Sequence, residues 1–132
     1  MFQEVYRVLG QGRFLLFTNT AEQMRGCWLN AYFPVAMVWS IVQMPGRQAI
    51  VQAMRQSGFA SIHTEPYEVQ ADLQDLFLYS GKHRPEMDPD PRVRAGISTF
   101  AALAEAAEVE EGFQRLSLDM ASGRIAEVMD RY

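Results

Sequence analysis

The chain has 132 residues, room for one domain or part of one, and 48% of them are hydrophobic, enough to build a core. Its formal charge of −4 argues against a general nucleic-acid or anionic-membrane surface. A single cysteine, Cys27, excludes an internal disulfide and a zinc knuckle and fits a cytoplasmic setting, and no apolar run approaches the ~20 residues of a membrane helix.

Phe2, Val5, Tyr6 and Leu9 recur at helical spacing and predict a helix over 2–9, ended by Gly10 and Gly12. The apolar run in Arg13–Thr18, flanked by glycine and by Asn19-Thr20, predicts a strand buried on both faces. A helix, a glycine turn and a buried strand make up the repeating unit of a parallel α/β sheet. Thr20 predicts an N-cap for a helix that starts at Ala21. From Trp28 to Met44 the apolar residues keep to no single stripe. They predict helical pieces, with Pro34 near a start and Pro45 after an end, packed between neighbours or lining a cleft.

Ile50, Val51 and Met54 predict an amphipathic helix over 46–57 with Gly58 at its stop. Residues 59–69, centred on 60–68, predict a second strand, placed at a sheet edge because Pro66 has no N–H. Leu73, Leu76 and Phe77 predict a short helix from Asp72 to Ser80, stopped by Gly81. The stretch 82–91, with its prolines and charges, predicts a surface loop. The Ala-rich stretch 92–107 predicts helix after a break near 96–98. Val109, Phe113, Leu116 and Met120 give a helix over 108–120 its buried stripe, and Ser122 is placed to cap a last helix through Ile125, Val128 and Met129.

The passage Glu4-Val5-Tyr6-Arg7-Val8-Leu9-Gly10-Gln11-Gly12-Arg13-Phe14-Leu15-Leu16, followed by a long insertion, by Ala49–Phe59 and by the second strand, resembles the class I S-adenosylmethionine-dependent methyltransferases of the type-11 group. There a helix and a glycine turn lead into the fifth strand, and a helix with a "GF" exit leads into the sixth. The stretches 75–87 and 92–103 are similar to an insertion in some members. The resemblance implies an α/β, Rossmann-like C-terminal half with few strands (13–18 and 60–68) and a predominantly helical remainder. It divides one partial domain, 1–132, into a methyltransferase-like part, 1–69, and a helical, lid-like part, 70–132.

The family binds its cofactor with a glycine-rich turn after the first strand, N-terminal to the passage matched here. Gly10 and Gly12 precede a strand instead, and Leu15 stands where the G-x-G-x-x-G fingerprint needs its third glycine. The expectation is therefore no catalytic or cofactor-binding residue and no S-adenosylmethionine bound by this chain alone, although the family implies that cofactor for the full-length enzyme.

Ligands of open α/β sheets sit beyond the C-terminal strand ends, which points to Thr18, Asn19 and Thr20, the same residues that suit a turn and a cap. Trp28, Tyr32, Phe33 and Trp39 suit an apolar pocket, or core and interface. Tyr79 with Lys82, His83 and Arg84 suits an anionic group, or a solvated loop. His63 has no partner at ligand spacing, so no metal is expected. The function read from these residues is the substrate-recognition and lid portion of a small-molecule methyltransferase, inactive without its donor-binding half. The alternative is a non-catalytic dimeric module that binds a small ligand or a partner. Exposed strand edges predict a homodimer, a rearranged and mostly helical packing, or completion by the missing half.

Overall fold

Local signals set most of the helix boundaries. In a computed structural model that describes residues 1–132, α1 spans Phe2–Leu9 and ends at Gly10, whose φ of 61° is one that glycine adopts without strain. α2 spans Ala21–Arg25. Thr20 Oγ1 accepts the Gln23 N–H at 3.3 Å, and Gln23 Oε1 accepts the Thr20 N–H at 3.0 Å, a reciprocal cap. A 3₁₀ turn, Trp28–Ala31, leads to α3, Pro34–Val42, with the proline at the first position, where no N–H is needed. α4 spans Arg47–Gln56.

After a 3₁₀ turn at Pro85–Met87 come α5, Pro91–Ala95, capped by Asp90, and a π-helical turn, Thr99–Leu103, closed by Ala104 N–H to Thr99 C=O at 2.9 Å. α6 spans Ala106–Ser122 and stops at Gly123 in the left-handed region, and α7 spans Ile125–Met129.

The core joins α2, α3 and the 3₁₀ turn at Trp28 to the second half of the chain. Phe33, fully buried, is its centre, with the rings of Phe100 at 4.9 Å and Phe113 at 4.6 Å. α6 comes this close because Gly112 has no side chain. A Cβ there would lie 2.3 Å from the Phe33 ring and 2.8 Å from the Tyr32 carbonyl. α3 has no side-chain cap of its own. Glu108 of α6 supplies one across the interface, accepting the N–H of Val35 at 2.7 Å and of Ala36 at 3.1 Å.

α1, α4 and the segments 13–19 and 59–69 form a thinner second layer in which only Met54 is buried. Aromatic edges hold it together: Tyr6 on Phe59 at 5.2 Å, Phe14 on Phe59 at 6.0 Å and Phe17 on Tyr67 at 5.1 Å.

Here the structure corrects the sequence reading. The strands expected at 13–18 and 60–68 do not form, and the chain is all-helical, not α/β or Rossmann-like. Both segments lack regular secondary structure, and neither 13–19 nor 60–69 makes a backbone-to-backbone hydrogen bond. Apolar β-prone residues supply faces to pack, but a strand exists only where a neighbour completes the ladder.

The helix expected over 72–80 is a run of turns instead. The buried Ser80 hydroxyl accepts the Phe77 N–H at 2.8 Å and donates to the Asp75 C=O at 2.6 Å, offering the backbone an alternative to helix. Ser122 does not cap a new helix, because α6 runs through it and Gly123 makes the break. No helix is long and apolar enough to cross a membrane.

Candidate functional site

The structure scatters the sequence-predicted site residues. Thr20 is spent on capping α2, and Asn19, half-buried, lends only its carbonyl to the Thr18 hydroxyl at 3.2 Å. Trp28 is core, its indole N–H donating to the Lys82 C=O at 3.2 Å. Tyr32 is core as well. Its hydroxyl donates to Asp119 at 2.9 Å, and burial, with that carboxylate, pushes its pKa up to about 12. Trp39 lies apart, on the outer face of α3, 56% exposed.

The basic cluster does not act as one. The Lys82 ammonium pairs with Glu68 at 3.2 Å, the Arg84 guanidinium donates to the Leu73 C=O, and His83 stands exposed in a turn. Tyr79 is buried, with a hydroxyl that has no partner and a pKa raised by that burial.

The fold also buries Asp88, within the stretch expected as a surface loop, and Cys27. Asp88 is 1% exposed and its Oδ2 has no hydrogen-bond partner. Burial, reinforced by Glu86, raises its pKa to about 7. Its carboxylate packs on the bare Cα of Gly81, where a Cβ would come within 2.4 Å of Oδ2. Cys27 is buried too, and desolvation pushes its thiol up to about 12, so it is not a nucleophile at neutral pH. No signal marked Asp88, because a carboxylate amid prolines and charges is normally solvated.

A second arrangement is a broad, open depression of about 1060 Å³ on the surface between the π-helical turn and α6. Phe100, Ala104, Val109, Phe113 and Leu118 give it apolar walls, and Arg94 lines one end. The Arg94 Cζ lies 4.4 Å above the Phe113 ring. Its Nε is buried without a partner, a loss of roughly 1–3 kcal/mol for a desolvated donor. Glu110 also lines the cleft but accepts from Gln114, at 3.4 Å. Sequence reading treated 92–107 as plain helix after a break. The π-helical turn has no signature in an Ala-rich stretch, although such turns concentrate at functional sites.

The Gly12 N–H in the one glycine-rich turn is bonded back to the Leu9 C=O at 3.1 Å, so no set of free amides converges there. No family model, curated protein or solved structure matches the chain.

Proposed function

We propose that this chain is the acceptor-recognition and lid portion of a small-molecule methyltransferase, inactive alone, working against a partner polypeptide that holds the donor. The resemblance of 4–16 and 49–59 supplies the reaction class. The observation that supports the need for a partner is surface. The chain exposes 8938 Å², whereas a compact monomer of 15.0 kDa exposes about 7000 Å². The excess, about 1900 Å², is what one side of a large obligate interface buries. Much of it has the character of an interface. Residues 13–19 and 60–69 make no backbone-to-backbone hydrogen bond, and Leu15 and Phe17 of the first segment are 90% and 64% exposed.

A second reading, a non-catalytic homodimer, draws on α3. Val35, Val38, Trp39 and Val42 form one outward stripe, each more than half exposed. Titration of S-adenosylmethionine into the purified chain should give no saturable binding. Stoichiometric binding by a single copy would overturn the first reading. Light scattering across concentrations separates the two: a concentration-dependent dimer, lost in Trp39→Ala, favours the second.

A further inference from the structure

The segment leading into α5 is fastened by its side chains and not by its backbone. Every backbone-to-backbone hydrogen bond of residues 77–89 ends within 77–90, among them Lys82 N–H to Tyr79 C=O at 3.0 Å and Arg84 N–H to Gly81 C=O at 2.9 Å. Its ties to the core are the buried Leu78 and Tyr79 side chains and the Trp28 indole N–H, which donates to the Lys82 C=O at 3.2 Å. The Asp88 carboxyl, inside the same segment, lies directly on Gly81. We infer that residues 77–90 form a strap over Trp28, latched by the protonated Asp88 carboxyl on Gly81 and loosened when that carboxyl ionises.

The latch is built for a neutral group. Asp88 is 1% exposed, and its Oδ2 has no hydrogen-bond partner. The basic groups of the strap are engaged elsewhere, Lys82 with Glu68 at 3.2 Å and Arg84 with the Leu73 C=O, while His83 stands exposed. Asp90 is paired with Arg92 at 2.9 Å, and Glu86 adds repulsion. From outside the strap the Cys27 thiol faces the carboxyl, itself held neutral by burial. An ionised Asp88 is therefore buried and unpaired, and ionisation favours the opened strap, in which water solvates the charge. Because the strap's backbone bonds are internal, it lifts without breaking a helix. The closed form is fully favoured below pH 3.8, loses favour as pH rises, and stops losing it above about 7, where the closed strap ionises too. The strap needs neither a methyl donor nor a partner chain, so its failure and that of the proposed function are separate results.

The test is native-state hydrogen exchange of the full chain by NMR between about pH 5 and 7, corrected for the intrinsic exchange rates. The Trp28 indole N–H and the Ser80 and Arg84 amides report on the strap, and the amide of the fully buried Leu116 in α6 reports on global unfolding. The strap reporters should lose about thirtyfold to a hundredfold of their protection across this range. They should exchange about tenfold or more faster than Leu116 and, unlike it, ignore urea added below the unfolding transition. Asp88→Asn should abolish the pH dependence. Strap reporters that exchange together with Leu116, protection that stays constant from about pH 5 to 7, or a pH dependence that survives in Asp88→Asn would overturn the latch. Should Asp88→Asn unfold, the wild-type Asp88 carboxyl carbon, followed by NMR, decides: titration near the ordinary value of 3.8 would overturn the latch as well.

Discussion

Asp88→Asn removes one titrating carboxyl from the interior and should flatten the pH dependence of stability. In the native chain this carboxyl holds its proton up to about pH 7, against an ordinary value of 3.8. Below pH 3.8 both native and unfolded forms are protonated and its contribution is fully present. As pH rises towards 7 the unfolded carboxyl ionises freely and the native one does not, so stability is lost until the native group ionises too. About three pH units at about 1.36 kcal/mol each give a ceiling near 4 kcal/mol.

Glu4, Glu22 and Asp90 have lowered pKa values, so their contributions are present above the ordinary carboxylate range and fade on acidification. Measurement above about pH 5 therefore isolates Asp88, and the expected loss between about pH 5 and 7 is roughly 2–3 kcal/mol. The assay is urea unfolding followed by tryptophan fluorescence, wild type against Asp88→Asn, across this range. The unpaired asparagine amide shifts the variant curve by about 1–3 kcal/mol at every pH alike, so the readout is slope and not offset. Parallel curves for the two proteins would refute the claim that Asp88 is buried and protonated at mildly acidic pH.

Gly112→Ala should cost about 1–3 kcal/mol in the same assay, because α6 must move off the Phe33 ring; an unchanged midpoint would contradict the close packing described. Glu108→Ala should cost about 1 kcal/mol by removing the cap on α3, and Glu108→Gln should recover part of it, as read from thermal melts. Cys27 should resist iodoacetamide at about pH 8 in the native state and react on unfolding; rapid native labelling would show that the thiol is not buried. Trp39→Ala should leave monomer stability within about 0.5 kcal/mol, any larger effect appearing only as lost self-association by light scattering.

Much of the helical framework was legible residue by residue. Thr20 caps where its side chain and Gln23 allow, Pro34 opens α3, and the spacing of Phe2, Val5, Tyr6 and Leu9 gives α1. The candidate sites were far less legible. Trp28 and Tyr32 belong to the core, and Asp88 is buried although it lies in a charged, proline-rich stretch. Sequence patterning reports which faces are apolar, not which of them end up lining a cleft.

What these 132 residues determine by themselves is local: caps, glycine stops and apolar stripes, each settled by contacts within a turn or two. Whether residues 13–18 and 60–68 become strands is not local, because every ladder hydrogen bond belongs half to a neighbour. In this chain the segments lie side by side through their rings and pair with nothing. The burial of Asp88 is likewise a tertiary outcome, since the desolvation of a charge depends on what packs over it from elsewhere in the chain.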